Sequence, residues 1–207
     1  FSVDADSVYL SPAPMYHSAP IGFCTAVQSI GGTVVMMERF DALDALRALE
    51  KYAVTHSQWV PTMFTRMLKL PEEERAGFDL SVHRVAVHAA APCPRKVKDE
   101  MFAWWGPILH EYYGGTEAHG LTYVGPEDWL AHPGTVGRAV LGTLHICDED
   151  GKELPNGEPG LVYFELDRTT FKYHKDPEKT RSAQHPKHAT WTALGDVGYV
   201  DDDGFLY

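Results

Sequence analysis

Apolar residues follow two alternating patterns along the first half of the chain. Residues 33–37 form a short β-branched run, and Leu43, Leu46 and Leu49 then recur at the spacing of a helix over 41–52. The same alternation predicts further strands at 58–60, 82–89 and 108–113, and helices that begin at Pro61 and at Pro94. Strands separated by helices indicate an α/β fold with a mostly parallel sheet flanked by helices.

The pattern changes after about residue 121. Turn-forming pairs such as Pro-Gly, Asp-Gly and Asn-Gly become frequent, and short apolar runs separate them. These runs predict strands at 141–147, 160–166 and 197–200. The only helical pattern there covers 176–183. We therefore expect an α/β subdomain over 1–120, followed over 121–207 by a small antiparallel β-rich subdomain with the form of a distorted barrel.

The composition is that of a globular protein, and it narrows the choice of partners. Of the 207 residues, 44% are hydrophobic and 23% are charged, and no apolar run approaches the roughly 20 residues of a membrane helix. The formal net charge of -11 argues against a nucleic-acid backbone as partner. Cys24, Cys93 and Cys147 are odd in number and widely spaced, so we expect reduced thiols in a cytoplasmic protein.

Candidate chemistry is expected where the predicted parallel strands end, because open sheets bind ligands at that edge. Residues 114–117, Gly-Gly-Thr-Glu, directly follow the last of these strands. Glycines let the backbone approach a ligand, and a hydroxyl beside a carboxylate can hold a phosphate oxygen and a divalent metal. The pattern fits a nucleoside triphosphate with Mg²⁺. The simpler alternative is a tight turn followed by a helix that Thr116 caps.

Five segments resemble signatures of the adenylate-forming, or AMP-binding, enzyme family. Residues 112–117, Tyr-Tyr-Gly-Gly-Thr-Glu, are similar to its Tyr-Gly-x-Thr-Glu signature. The other four segments are 14–17, 89–92, 133–138 and 194–207. All five stand in the family's order over nearly the whole chain. The strings at 111–117 and 176–180 look most like acyl-CoA synthetases of the fatty-acid or bile-acid type.

The resemblance implies an ATP-dependent acid–CoA ligase. A carboxylate and ATP would give an acyl-adenylate and pyrophosphate, and coenzyme A would then displace AMP to give a thioester. The implied ligands are ATP or AMP, coenzyme A, Mg²⁺ and a fatty or bulky hydrophobic acid, with no nucleic acid. Peripheral contact of a longer parent protein with a membrane is left open.

The resemblance also assigns roles to single residues. Tyr113 would stack on adenine, and Glu111 would accept a hydrogen bond from the adenine amino group. Thr116 would contact the phosphates, Glu117 would bind Mg²⁺, and Asp196 would bind the ribose hydroxyls. Further nucleotide-site residues would be Ala90, Ala91, Pro92, Tyr112, Gly114 and Gly115.

The acid site is assigned in the same way. His17 would lie near the acyl carboxylate, with residues 60–64 lining the acyl tunnel. Together with Thr116 and Glu117, His17 completes the implied catalytic set. Two structural alternatives stay open: His17 as a hydrogen-bonded structural histidine, and Asp196 as a turn former.

The chain also departs from the family pattern. Leu194 replaces the usual Thr before Gly-Asp, and the alanines at 89–90 stand where glycines are common. We expect the family's phosphate loop upstream of Phe1 and its smaller carboxyl-terminal domain, with a catalytic Lys, after Tyr207. No Lys or Arg lies within the motifs at the predicted strand ends, and the nearest in sequence is Arg95. The isolated chain is therefore expected to be inactive. It is also expected to self-associate, because it exposes apolar surface on which the absent half of the large domain would pack.

One predicted helix carries two further patterns. Arg95, Lys96 and Lys98 predict a solvated helix face, whereas Trp104 and Trp105 predict packing in the core.

Two motifs resemble metal sites but favour simpler structures. His185 and His188 are spaced as in some metal sites, although the intervening Pro186 favours a loop. Residues 201–204, Asp-Asp-Asp-Gly, resemble part of a calcium loop, although a hairpin turn is favoured.

Two alternative functions remain for the chain as a whole. The first is an adenylation domain that loads a carrier protein, or a luciferase-like enzyme. The second is a non-catalytic module that binds a nucleotide or a partner protein.

Overall fold

The computed structural model describes residues 2–207. The chain forms two compact units, the first ending at His110 and the second running from Glu111 to Tyr207. No helix in the described part of the chain combines the length and apolar character needed to span a bilayer.

The first unit contains a parallel sheet and five helices. Its strands are β1 (Val8–Ser11), β2 (Thr33–Met36), β3 (His56–Trp59) and β4 (Val85–His88), in the order β2-β1-β3-β4. Its helices are α1 (Ser18–Ser29), α2 (Ala42–Lys51), α3 (Pro61–Leu68), α4 (Glu72–Arg75) and α5 (Arg95–Trp105). All three strand pairings are parallel. The predicted α/β class with a mostly parallel sheet is confirmed.

Local chemistry explains why α2 forms where it does. Its amino end is capped by Asp41, whose Oδ1 accepts hydrogen bonds from the backbone N–H groups of Leu43 (3.0 Å) and Asp44 (3.1 Å). Leu46 and Leu49 recur at helical spacing and are buried in the core of the unit. Burial of each leucine side chain contributes about 1.5–3 kcal/mol to folding. The capping residue and the apolar stripe therefore agree on one helix.

Helix α5 differs in part from the prediction that Arg95, Lys96 and Lys98 form a solvated face. Arg95 and Lys96 are exposed, with side-chain exposures of 68% and 87%, and each pairs with an acid one turn later. Lys98, in contrast, is fully buried. It lies three residues before the buried Met101, and this spacing puts both side chains on the inward face of the helix. The prediction of a solvated face is therefore wrong for Lys98, whose side chain lies in the interior of the first unit.

The second unit is built from antiparallel strands. Its strands are β5 (Leu109–Tyr113, which starts at the end of the first unit), β6 (Leu121–Val124), β7 (Arg138–Leu141), β8 (Thr143–Cys147), β9 (Gly160–Glu165) and β10 (Trp191–Gly198). Strands β5-β6-β7 form one antiparallel ladder, and β10-β9-β8 form another. Its helices are α6 (Pro126–Ala131) and α7 (Pro177–Ser182). The predicted antiparallel β-rich subdomain is confirmed.

Two details of the second unit differ from the sequence-based prediction. Helix α6 is a second helix there, too short for its periodicity to be visible, with Pro126 at its start and Trp129 buried. Strand β10 begins at Trp191, earlier than the predicted start at 197. A register shift between Ala193 and Val197 interrupts its pairing with β9, and this irregularity hides the strand pattern.

Candidate active site

The segment that follows β5 is a turn without a helix. The N–H of Ala118 donates to the carbonyl oxygen of Gly115 at 3.1 Å, and the chain then continues toward β6. A Cβ atom on Gly115 would lie 2.2 Å from Cδ2 of Leu194, so glycine lets the Leu194 side chain pack directly against this turn. The alternative of a helix capped by Thr116 is therefore wrong. Thr116 is exposed at the tip of this turn.

Tyr113 and Asp196 are joined by a direct hydrogen bond. The hydroxyl of Tyr113 donates to Oδ2 of Asp196 at 2.8 Å. Asp196 lies in the irregular part of β10, directly after Gly195, whose φ of +97° is accessible mainly to glycine. The Tyr113 ring stacks against Phe164, with centroids 6.1 Å apart. Burial, followed by the hydrogen bond to Asp196, raises the pKa of Tyr113 well above its usual value.

Glu117 is held by a residue from a distant loop. The hydroxyl of Tyr173 donates to Oε1 of Glu117 at 3.0 Å. The pKa of Glu117 is lowered, first by a hydrogen bond from its own backbone and then, against the opposing effect of burial, by Tyr173, His119 and Lys179. The carboxylate is consequently ionised at neutral pH. Glu117 is only partly buried, so its carboxylate is accessible from the solvent as an anionic oxygen ligand.

The loop that carries Tyr173 contacts the same turn twice more. The hydroxyl of Thr170 donates to the carbonyl oxygens of Glu117 (2.9 Å) and Ala118 (3.0 Å). The Phe171 ring packs edge-on against His119, with centroids 4.6 Å apart. Sequence analysis missed this contribution, since the contacts join positions more than fifty residues apart. The only local signal is an aromatic pair within a polar loop.

Lys179 brings a positive charge to the turn. Its ammonium group lies 4.3 Å from the centroid of the Tyr173 ring, and its charge helps to lower the pKa of Glu117. The sequence-based inventory of cations at the site did not include Lys179. Lys179 lies on α7, which the turn motif does not include, and only the folded second unit brings it close to Glu117.

The remaining predicted residues of the second unit lie on β5. Glu111 is buried and pairs with Val124 across the β5–β6 ladder, whereas Tyr112 is half-buried opposite Tyr123. Gly114 follows directly, where an added Cβ would come within 2.9 Å of the Gly120 carbonyl oxygen. The second unit thus brings together the predicted adenine, ribose and metal ligands that belong to it.

The predicted residues of the first unit lie in two exposed places. Ala90, Ala91 and Pro92 form the exposed loop after β4. Ala90 has a φ of +75°, a left-handed conformation that glycine adopts at much lower cost. His17 is exposed at the amino end of α1, and its side chain makes no capping hydrogen bond. The alternative of a hydrogen-bonded structural histidine thus finds no support.

The histidine motif that resembles a metal site is explained by local hydrogen bonds. His185 Nε2 donates to the Gly151 carbonyl oxygen at 2.8 Å, while Nδ1 accepts from the backbone N–H groups of Lys187 and His188. Both ring nitrogens are thus engaged within the protein, and the loop interpretation is favoured over a metal site.

The Asp-rich segment is a hairpin turn. Oδ1 of Asp201 accepts hydrogen bonds from the backbone N–H groups of Asp203 (3.0 Å) and Phe205 (2.8 Å), and Val200 pairs with Leu206 across an antiparallel bridge. These bonds close the turn in the way that Asp commonly does. The favoured interpretation of residues 201–204 is confirmed.

Comparison with known proteins decides the family. A sequence model of the AMP-binding enzyme family matches residues 1–173. The chain belongs to this family. A 4-coumarate–CoA ligase-like protein of Oryza sativa subsp. japonica is 35% identical over 207 residues, and the match covers 97% of this chain and 34% of that protein. A 4-coumarate–CoA ligase of Petroselinum crispum is 27% identical over 212 residues, with coverage of 98% and 38%.

Several solved structures share the fold. The amide bond synthetase McbA of Marinactinospora thermotolerans superposes with a TM-score of 0.86 at 29% identity, covering 97% of this chain and 40% of that one. The amino-terminal domain of FACL13 from Mycobacterium tuberculosis gives 0.84 at 28%, covering 100% and 52%. ATP-bound MatB of Rhodopseudomonas palustris gives 0.83 at 27%, covering 99% and 40%. The chain spans about a third of the length of the curated relatives it matches.

Proposed function

We propose that this chain carries the adenine- and ribose-binding part of an ATP-dependent acid–CoA ligase. The observation that carries the proposal is the hydrogen bond between Tyr113 and Asp196. The bond fixes a carboxylate beside a half-buried aromatic ring, and a carboxylate with two acceptor oxygens suits a pair of ribose hydroxyls. Adenine would stack near Tyr113, with Glu111 as the acceptor for its amino group.

The turn 114–119 is proposed as the phosphate and metal side of the site. Mg²⁺ prefers carboxylate and hydroxyl oxygens, and Glu117 is ionised and partly exposed next to the exposed Thr116. These residues fit the metal, which when bound would neutralise charge on the phosphates. Tyr173 orients the Glu117 carboxylate through its hydrogen bond.

In the first unit, we propose that the loop 90–92 contributes backbone contacts to adenine. His17 would lie near the acyl carboxylate. The acid itself is proposed to be a carboxylate with a hydrophobic body, of the fatty or bulky type. The names of the curated relatives, 4-coumarate–CoA ligases, support a hydrophobic acid and coenzyme A as substrates.

The catalytic task of such an enzyme is positioning and neutralisation of charge. The acid's carboxylate must approach the α-phosphorus of ATP in line with the departing pyrophosphate, and coenzyme A must then attack the acyl carbon. Both steps proceed without a protein nucleophile. Within the second unit, Thr116, Glu117 and Asp196 contribute two negative charges, and Lys179 contributes one positive charge. A triphosphate requires more positive charge than this. We therefore propose that the 207 residues alone form neither acyl-adenylate nor thioester.

A longer protein that contains this chain provides the experiment. We expect ATP-dependent thioester formation from coenzyme A and at least one member of a panel of hydrophobic acids, and none from residues 1–207 alone. Absence of acid-dependent pyrophosphate exchange in the longer protein would contradict the proposal. Thioester formation by the isolated chain would contradict its inactivity.

A second candidate differs only in the acyl acceptor. The structural neighbour McbA is an amide bond synthetase, which supports an amine as the acceptor in place of coenzyme A. Supplying the longer protein with an acid, ATP and either coenzyme A or a primary amine separates the two functions. Thioester from the first mixture supports the ligase, and amide from the second without thioester supports the synthetase.

The isolated chain is also proposed to self-associate. Tyr16, Ile21 and Met36 are 84%, 50% and 61% exposed. Met36 lies on β2, the outermost strand of the first unit's parallel sheet, and exposed edge strands pair readily with other chains. Sedimentation velocity should show concentration-dependent oligomers, and a monomer throughout would contradict this proposal. Cys24, Cys93 and Cys147 form no disulfide within residues 2–207, which supports the proposed cytoplasmic location.

A further inference from the structure

A cavity of about 400 Å³ lies in the first unit, at the amino ends of its strands. Among its lining residues, His83 precedes β4 by two positions, Ile108 directly precedes β5, and Trp105 ends α5. The loop 89–92 begins at the other end of β4, roughly 13 Å away for four residues at about 3.3 Å each. The cavity is thus separate from the strand end that carries this loop.

Several buried nitrogen atoms of the cavity wall lack a partner. Arg75 Nε and Trp105 Nε1 are inaccessible to solvent and form no hydrogen bond within residues 2–207. Nδ1 of His83 is also inaccessible to solvent. It interacts with the Val85 backbone, but the geometry falls short of an ordinary hydrogen bond. Buried donors in native proteins are nearly always paired, so unpaired ones in one cavity wall indicate a missing acceptor.

The charge of the wall has one sign. Arg75 forms no ion pair within the described chain, and its guanidinium carbon lies 5.1 Å from the centroid of the Trp104 ring. Burial lowers the pKa of His83 to about 3, so this ring is neutral at physiological pH. Its Nε2 lies 2.7 Å from Oγ of Ser57. Among the described residues, no acidic side chain lines the cavity. Arg75 is therefore its single fixed charge.

The rest of the wall is apolar. Phe78, Leu80, Trp104 and Ile108 line the cavity together with the ring of Trp105. Its volume falls in the lower part of the range for small-molecule sites, about 300–1,000 Å³. A wall with one cation and neutral donors suits a ligand that carries a single negative charge rather than a phosphate dianion. The aromatic residues of the wall suit a ligand with a hydrophobic body.

We propose that this cavity is a second ligand site, which binds a small carboxylate with an apolar body. Because both nitrogens are sealed from solvent in the unliganded chain, binding rotates the two side chains so that Arg75 Nε and Trp105 Nε1 donate to the carboxylate oxygens. The body of the ligand packs against Trp104 and Phe78. The proposal is independent of the proposed ligase function, since none of these residues belongs to the candidate active site.

Binding of 3-phenylpropionate to the 207-residue chain tests the proposal. The probe is followed by NMR through the indole N–H resonance of Trp105, assigned from its loss in Trp105→Phe. We expect a saturable shift at millimolar ligand, and binding of the neutral 3-phenylpropionamide weaker by about tenfold or more, because a charged hydrogen bond is lost. No saturable shift, or equal affinity for acid and amide, would overturn the proposal.

Variants assign the binding to Arg75. Arg75→Gln should weaken 3-phenylpropionate binding by about tenfold, and Arg75→Lys, which keeps the charge, should lose less. Arg95→Gln on the exposed face of α5 is the matched control and should bind as the unmodified chain does. Equal affinity of all three variants would place the ligand elsewhere and overturn the proposal. If Arg75→Gln does not fold, the comparison of acid with amide still decides.

Discussion

The hydroxyl of Tyr113 donates a 2.8 Å hydrogen bond to Oδ2 of Asp196, although 82 residues separate the two in sequence. The bond connects the turn motif after β5 with the irregular segment of β10. Each of these segments resembles a separate signature of the AMP-binding family. Because the two segments are in direct contact, the residues proposed to bind adenine and ribose lie next to each other.

Tyr113 should titrate later than an ordinary tyrosine. Burial and the bond to Asp196 raise its pKa above the usual 10.0, so the folded state favours the protonated phenol. This contribution to stability is complete below pH 10 and declines at more alkaline pH. An ultraviolet titration of phenolate formation should lose one late-titrating group in Tyr113→Phe. Asp196→Asn should move that group to lower pH, and an unchanged late fraction in both variants would contradict the contact.

Tyr173 should affect the metal side of the proposed site. In the longer enzyme, Glu117→Gln should strongly lower the rate of pyrophosphate exchange, because the anionic ligand is lost. Tyr173→Phe removes only the orienting hydrogen bond and should raise the Mg²⁺ requirement by roughly two- to twelvefold, which corresponds to about 0.5–1.5 kcal/mol.

The matched control for Tyr173 is Tyr199→Phe. Tyr199 stacks on Tyr207, and no hydrogen bond connects its hydroxyl with the turn 114–119 in the described chain. Its Mg²⁺ dependence should be that of the unmodified enzyme. Identical Mg²⁺ curves for all of these proteins, Glu117→Gln included, would show that the turn does not hold the metal.

Ala90→Gly should increase stability or leave it unchanged. The positive φ of Ala90 costs roughly 1–2 kcal/mol, which glycine avoids, while the flexible unfolded chain of the variant offsets about 0.4–1 kcal/mol of the gain. Ala91→Gly is the control, since Ala91 has no positive φ and should lose about 0.5–1 kcal/mol. Urea unfolding of both variants measures the difference. Equal destabilisation of the two would show that residue 90 is unstrained.

Sequence patterns predicted the regular parts of the fold well. Helix α2 could be located because its cap and its apolar stripe agree, and the parallel sheet followed from the alternation of strands with helices. Helix α6 was missed because one and a half turns give no readable period. Lys98 was misplaced because a charged residue on an inward helix face cannot be distinguished from a solvated one without its neighbours.

The candidate site was predictable only as far as its motifs extend. The segments at 112–117 and 194–196 identified Tyr113, Glu117 and Asp196 as candidates. Tyr173 and Lys179 could not be found in this way, since they reach Glu117 through a loop and a helix that lie outside these motifs. Tertiary contacts of this kind leave no periodic signal in the sequence.

The ribose role of Asp196 is the centre of the proposed function, and paired calorimetric titrations test it most directly. The ligands are AMP and its 2′,3′-dideoxy analogue, each titrated into the unmodified chain, Asp196→Ala and the control Asp150→Ala. We predict that the unmodified chain and Asp150→Ala prefer AMP by about tenfold or more, since a charged acceptor loses its hydroxyl partners in the analogue. Asp196→Ala should bind both ligands equally and weakly. A preference for AMP that survives in Asp196→Ala would contradict the account.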